Sequence, residues 1–463
     1  LFVASLIFYA FGEPIYIALM LVSITINYGL AYPIDWARRE QRRALKIFFV
    51  TLTLIVNIGA LAFFKYSGFF VENLQHLLQR DLDFQAPALP IGISFYTFQI
   101  LSYVIDVARG HVDLERNYIN LACYVSMFPQ LIAGPIVRFK TVAQELHFRK
   151  ESFYDIERGI TRFVYGLAQK ALLANPIGEL WDRIQAYPME TLSTPMAWLG
   201  LVAFAFQIYF DFAAYSNMAI GLGAIFGFHF LENFRDPYTA TSITDFWRRW
   251  HISLSSWFKS YVYIPLGGNR RGIVRQIFNI IVVWLLTGFW HGANWNFILW
   301  GLYFAVLLIL EKIFLLRLLK KSGPILARIY TLFLVLISWA IFAIDDLAKL
   351  RSYLTRLFIP VHPLPLHSVL YGEHGRYGLQ RHFSGDLLYL LGSYAILLIL
   401  CILFSTPYPR RFLQRLDDPK SCRSLAGLRR QRIVKDVVVL ILWFFSVASI
   451  VSAAYNPFLY FRF

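Results

Sequence analysis

His291 stands in a run that is otherwise apolar and aromatic, and His251 in an aromatic stretch that also carries Arg248 and Arg249. An ionisable group is costly in hydrocarbon and is kept there for a use. Imidazole is also the side chain that exchanges protons near neutral pH. Proton chemistry at a membrane-buried histidine is therefore the first expectation. His291 is the stronger candidate because it lies in Trp290-His-Gly-Ala-Asn294. Gly292 and Ala293 predict free space beside its ring. Asn294, one helical step on, is placed to orient the imidazole or a bound carbonyl. Other polar groups inside apolar sequence are Asp106, beside Arg109, and Asp211, with Tyr215 and Asn217. Asp106 reads as an interface pair with Arg109. Asp211 reads as a bond across helices or a partner of an arginine.

Other chemistries find no support. The sequence has no G-x-S-x-G elbow and no Walker A loop. The histidine pair has no third ligand nearby in sequence, so no metal site is expected. Cys123, Cys401 and Cys422 are far apart and fit neither a disulfide framework nor a metal spacing. Gly221-Leu-Gly223 and Gly267-Gly268 lack the strand context of a nucleotide fingerprint and read as packing or turn glycines.

The elements that must hold these residues are membrane helices. Of 463 residues, 58% are hydrophobic and only 16% are charged. Residues 47–64, 277–289, 297–310, 332–344, 387–404 and 437–451 are nearly free of charge. A spanning helix needs about 20 apolar residues, and the spacing of the runs predicts about ten to twelve segments. Backbone in lipid must satisfy its own hydrogen bonds, so the fold class is an all-α integral membrane bundle. Pro90, Gly92, Pro129, Gly134 and Pro135 predict bent or re-entrant pieces.

The net charge of +16 gathers in short loops, around residues 38–46, 265–275, 316–328 and 409–436. This is the positive-inside pattern, which places those loops in the cytoplasm and makes nucleic-acid binding the poorer account. The basic surface also suits anionic lipid head groups. From those loops, residues 345–385 fall outside, and His291 lies past the midpoint of a helix that starts in the cytoplasm. Ser242-Ile-Thr-Asp245 has the form of a helix cap. The aromatic spacing that follows predicts one amphipathic or re-entrant helix at the interface over 242–263, with His251 on the face of Trp247.

Several motifs together are specific. They are Leu89-Pro-Ile-Gly-Ile-Ser-Phe-Tyr96, Phe128-Pro-Gln-Leu-Ile-Ala-Gly-Pro135, Gln207-Ile-Tyr-Phe-Asp-Phe212, Asp245-Phe-Trp-Arg-Arg-Trp-His-Ile-Ser-Leu-Ser255, Tyr263-Ile-Pro-Leu-Gly-Gly-Asn269, Trp290-His-Gly-Ala-Asn294 and Asn456-Pro-Phe-Leu-Tyr-Phe-Arg-Phe463. With them the chain resembles the membrane-bound O-acyltransferase (MBOAT) family, most of all its bacterial alginate and polysaccharide O-acetyltransferase branch. It departs at Asn217, where relatives usually carry aspartate.

The resemblance implies a ring of bent helices around a central tunnel, with His291 matching the family histidine at its waist and His251 the second. It implies an acetyl group taken from cytoplasmic acetyl-CoA and passed across the bacterial inner membrane. The receivers would be an extracytoplasmic partner protein and an exported polysaccharide, either alginate-like or peptidoglycan. A D-alanyl transfer from a carrier protein to teichoic acid is the nearest alternative. A proton-coupled transporter or flippase is the alternative of another class. The chain is expected to be one membrane domain over 1–463: N-terminal helices 1–88, catalytic core 89–344, and outer loop with C-terminal helices 345–463.

The residue chemistry agrees. Acyl transfer from a thioester to an alcohol needs a base for the hydroxyl proton and donors for an oxyanion. His291 is the candidate base. His251, Asn294 and the indole of Trp290 are candidate donors, and Asp211 and Tyr215 are candidate polar groups of the tunnel. Arg248, Arg249, Lys259, Arg270 and Arg271 are candidates for holding the phosphates of coenzyme A. No permanently bound cofactor is expected, with acetyl-CoA as substrate.

Overall fold

The computed structural model describes residues 1–189, 192–359, 384–417, 425–452 and 458–459. Among these residues every regular element is a helix. The chain begins with α1 (Phe2–Gly12), α2 (Tyr16–Arg39) and α3 (Arg43–Leu78), then α4 (Ile93–Arg109), α5 (Tyr118–Ser126), α6 (Phe128–Leu131) and α7 (Phe139–His147). α8 (Phe153–Ala168) runs through a π-helical turn into α9 (Asn175–Gln185), and α10 (Thr194–Ile225) is the buried spar of the molecule. Next come α11 (Ile243–Arg249), α12 (Ile252–Phe258), α13 (Gly272–His291), α14 (Trp295–Leu310), α15 (Leu316–Lys321), α16 (Gly323–Ala343) and α17 (Leu347–Phe358). The last three are α18 (Ser384–Phe404), α19 (Pro407–Asp417) and α20 (Leu425–Ser452).

Among the described residues, eight helices are long and apolar enough to cross a membrane: α2, α3, α10, α13, α14 with its extension to Lys321, α16, α18 and α20. The sequence estimate of ten to twelve also counted the apolar stretches that fold as the shorter α4, α5, α6 and α8. The predicted breaks occur where glycine permits them. Gly92 is left-handed at φ 78°, and a Cβ there would lie 2.8 Å from the Leu131 carbonyl oxygen. The stretch 345–385 lies mostly outside the described residues, as does 456–463 apart from Phe458 and Leu459.

Two packed regions meet at the site. One joins α1–α5 around Tyr96, Tyr103 and Tyr124. The other joins α10, α14 and α16 around Phe210, Trp300 and Trp339. Between them lies a small aromatic cluster of Phe95, Phe98, Trp257, Tyr261 and Trp290. α13 and α14 form a tight hairpin there. A Cβ on Gly288 would lie 2.3 Å from the Phe297 carbonyl oxygen, and one on Gly301 would lie 2.4 Å from that of Trp284. Backbones approach this closely only where both helices present hydrogen instead of a side chain.

The single helix expected over 242–263 is broken. Ser242 caps α11 as predicted, accepting from the Asp245 N–H at 2.9 Å. The helix then stops at Arg249, and His251 adopts a left-handed conformation, φ 43° and ψ 55°. Histidine is among the residues that tolerate this region best. The bend is held from outside the helix, because the Asn233 carbonyl accepts the Ile252 N–H at 2.9 Å. Hydrophobic period alone could not show this, since Trp247 and Trp250 stay buried on both sides of the bend.

Two further expectations are corrected. Asp106 does not pair with Arg109. It accepts from the Tyr261 hydroxyl at 2.7 Å, while Arg109 lies over the Tyr261 ring and donates to the Ser260 carbonyl. And α11 is anchored by a residue that no motif marked. Glu311, fully buried, accepts from the N–H groups of Ile243 (2.6 Å) and Thr244 (2.8 Å) and from the Thr244 hydroxyl (2.7 Å). A carboxylate at a helix N-terminus meets both unpaired donors and a favourable dipole. Glu311→Ala should lower the melting temperature in detergent, since each buried donor left unsatisfied costs about 1–3 kcal/mol. An unchanged melting temperature would show that water replaces the carboxylate.

Candidate functional site

His291 is the last residue of α13. Gly292 and Asn294 are both extended, and α14 starts at Trp295. Asn294 is therefore not one helical step from His291. It lies across a break in the helix, at the start of the next one. The expected free space beside Gly292 is also filled. A Cβ there would sit 2.1 Å from the Phe297 ring, so this glycine serves close packing.

The end of α13 is held by α3. Lys65 donates to the carbonyls of Trp290 (2.5 Å) and His291 (3.2 Å), and the Tyr66 hydroxyl donates to that of Phe289 (2.6 Å). A cation at a helix C-terminus answers its orphan carbonyls and its dipole. The His291 ring is boxed by aromatic rings, with centroids at 4.9 Å (Trp290), 5.0 Å (Trp300) and 5.3 Å (Phe342). Its Nδ1 makes no hydrogen bond among the described residues.

His251 reaches the same place from the α11–α12 bend. Its ring meets Trp290 at 5.9 Å and Phe212 at 4.7 Å, so one indole lies against both imidazoles. His251 lies outside the spanning helices, and burial pushes its pKa down to about 3, which keeps it neutral at physiological pH. Its Nδ1 lies 3.1 Å from the amide oxygen of Asn233.

Asp211 pairs with a lysine, not an arginine. Lys170 donates to one carboxylate oxygen at 2.5 Å, and the Leu459 N–H donates to the other at 2.7 Å. Lys170 also lies over the Phe458 ring. The carboxylate thus ties the chain's last described residues to α10. Tyr215 packs edge-on against Phe458 at 5.0 Å and lines none of the cavities described below. Asn217 points elsewhere, accepting from Arg162 and donating to Gln169.

Three cavities lie around the site, and the second and third share Phe342 and Leu459 as walls. A cavity of about 280 Å³ opens beside the basic loop before α13, with Leu254, Phe258, Trp284 and Thr287 as walls and Arg248, Lys259 and Lys312 at its rim. No ion pair engages these three cations among the described residues. A void of about 30 Å³ lies against His291, Asp211, Trp250, Trp300, Phe342 and Leu459. A vestibule of about 430 Å³ follows, lined by Lys65, Asp182, Gln207, Gly292, Asn294, Phe342 and Asp345. Trp300 separates the first two, because Trp247 and Trp284 of the first pack against it at 5.6 and 6.0 Å.

Of the basic candidates, Arg248 and Lys259 reach a cavity. Arg249 is taken up by Asp245 at 2.9 Å, and Arg270 and Arg271 are exposed beyond it. No cluster of metal-ligating side chains occurs among the described residues. Lys65 and Asn233 were missed in sequence. Lys65 carries a readable signal, the one Lys or Arg in α3 beyond its first turn and deep in apolar sequence. Asn233 lies in a loop without any.

Comparison with known proteins gives a consistent result. Residues 115–344 match the model of MBOAT, the membrane-bound O-acyltransferase family. The chain is 33% identical over 475 residues to the probable alginate O-acetylase AlgI of Pseudomonas putida, covering all of this chain and 94% of that protein. It is 34% identical over 377 residues to the peptidoglycan O-acetyltransferase of Helicobacter pylori, covering 75% of this chain and 71% of that one. With the teichoic acid D-alanyltransferase of Bacillus subtilis it shares 29% over 229 residues, 47% of this chain and 58% of that one.

Proposed function

The chain belongs to the membrane-bound O-acyltransferase family, and from that premise we propose that it takes acetyl from cytoplasmic acetyl-CoA and passes it across the membrane for O-acetylation of an exported polysaccharide. It is a multi-pass O-acyltransferase of the bacterial inner membrane. The observation that carries the finer reading is the position of His291 between a cation-rimmed cavity on one side and a polar vestibule on the other.

In this reading the phosphates of the donor rest on Arg248 and Lys259, with Lys312 beside them, and the apolar walls take the pantetheine arm. His291 accepts the proton of the acceptor hydroxyl. The freed oxygen bonds to the thioester carbonyl carbon, the carbon–sulfur bond breaks, and the thiolate recovers a proton. A dry aromatic enclosure protects the thioester from hydrolysis. The acceptor enters by the vestibule, where Asn294, Gln207 and Asp345 offer polar contacts. Alginate-like polymers and peptidoglycan are both consistent with the relatives, with an extracytoplasmic partner protein delivering the sugar or relaying the acetyl group.

The test is release of coenzyme A from acetyl-CoA by the purified protein with cell-envelope acceptor, run beside a D-alanyl carrier thioester. Consumption of the second donor alone would return the function to D-alanylation. Passage of substrate without consumption of either would make it a transporter. Within the acetyl reading, Arg248→Glu with Lys259→Glu should raise the apparent donor KM about tenfold or more, with kcat little changed, because one lost charged contact is worth about 1.5–3 kcal/mol. An unchanged KM would make both residues membrane anchors.

A further inference from the structure

We infer that Asn233 is a positioning residue that locks His251 in the tautomer whose Nε2 is bare, so that His251 serves the transfer as a hydrogen-bond acceptor and not as an oxyanion donor. The inference rests on the reading of His251 as part of the transfer site.

The hydrogen bonds settle the orientation. The amide oxygen of Asn233 accepts the Ser253 N–H at 3.2 Å, and a backbone N–H cannot do otherwise than donate. The amide nitrogen correspondingly donates to the Ser216 hydroxyl at 3.0 Å. A flipped amide would set two donors against each other at Ser253. With the orientation fixed, the atom 3.1 Å from His251 Nδ1 is a carbonyl-type oxygen, which only accepts. Nδ1 must therefore carry the proton. The Ser253 hydroxyl also lies 3.4 Å from Nδ1, but its shorter contact is with the Asn233 oxygen. It accepts the Ile136 N–H at 3.0 Å and spends its own proton on the same Asn233 oxygen at 2.9 Å.

A neutral imidazole with Nδ1–H has a lone pair at Nε2. That nitrogen is buried and has no partner among the described residues, on a ring that lies against Trp290. An unpaired buried acceptor is costly, and its presence in a polar-poor enclosure points to a substrate donor that fills it. Asn233 also fixes where the ring stands, because its carbonyl holds Ile252 and so the left-handed turn at His251. Ser216 extends the chain of bonds to α10.

The test has a readout independent of activity. Selective ¹⁵N-histidine labelling of the full-length protein, with His251→Gln to assign the signal, should give a protonated Nδ1 and a bare Nε2 in the wild type. Asn233→Leu should turn the signal into a tautomer mixture and lower kcat at least tenfold, with the donor KM nearly unchanged. Asn233→Asp keeps an acceptor opposite Nδ1, so it should keep the tautomer and retain more activity than Asn233→Leu. A purely structural asparagine predicts the reverse, since a buried carboxylate destabilises more than leucine does. A wild-type signal with the proton on Nε2 would overturn the inference whatever the activities. An intact tautomer in a protein whose His251→Gln variant transfers normally would instead remove His251 from the reaction and leave only the tautomer assignment standing.

Discussion

His291→Ala should lower turnover by about 10²–10⁴-fold, the range that a positioned general base contributes, with the donor KM nearly unchanged. The reason for the KM expectation is spatial. His291 lines the 30 Å³ void, whereas the cations that would hold the donor stand at the rim of another cavity. His291→Gln is the sharper variant, since it keeps polar atoms and more of the volume but cannot take up a proton at neutral pH. It should fall as far as alanine. The measurement is single-turnover coenzyme A release in vesicles, with melting temperature as the control for folding. Its Nδ1 has no hydrogen-bond partner among the described residues, and the ring is held by aromatic packing, so its removal mainly takes away packing. A glutamine variant with near-normal turnover would exclude the histidine as base.

Lys65→Met should be nearly as damaging through a different route. The methionine chain fills similar space but leaves the carbonyls of Trp290 and His291 without their donor. A hydrogen bond contributes about 0.5–1.5 kcal/mol net, and a buried acceptor left unpaired costs about 1–3 kcal/mol. The end of α13 should loosen, and His291 with it. The expected outcome is a clear drop in melting temperature together with a tenfold or larger fall in kcat. Lys65→Arg keeps the charge and donors and should recover part of both. If Lys65→Met lost activity at an unchanged melting temperature, the cation would be acting on the reaction itself and not on the helix end.

Much of this could be read from the chain. The spanning helices follow from charge-free runs, and the Ser242 cap follows from a four-residue pattern. The motif around His291 marks the place that the aromatic box and the cavities surround. The rest depended on groups remote in sequence. The bend at His251 is set by Asn233, and the start of α11 by Glu311 from the far end of α14. Neither partner can be inferred from local periodicity, because the bend leaves the buried aromatics buried. Asn294 shows the opposite failure. The sequence predicts a helical step through Gly292, but its backbone is extended, and the Phe297 ring packs where a Cβ would stand. Among the basic residues, spacing could not tell Arg248, at the rim of a cavity, from Arg249, already paired with Asp245.

The narrow void at His291 has a consequence for the cell's energy supply. A bacterium stores work as a voltage across this membrane, about 2.3 kcal/mol per elementary charge for each 100 mV. A continuous file of water through the protein would discharge it. The void at His291 holds only about 30 Å³, room for one or two waters. Its walls are mainly the rings of Trp250, Trp300, Trp339 and Phe342. Such a plug insulates. Protons and ions meet a barrier of low polarity, while in the proposed reaction the uncharged acyl group would pass from sulfur to oxygen without carrying charge through the field. On the proposed reading, the same aromatic packing that surrounds the imidazole would let the enzyme work in an energised membrane without draining it.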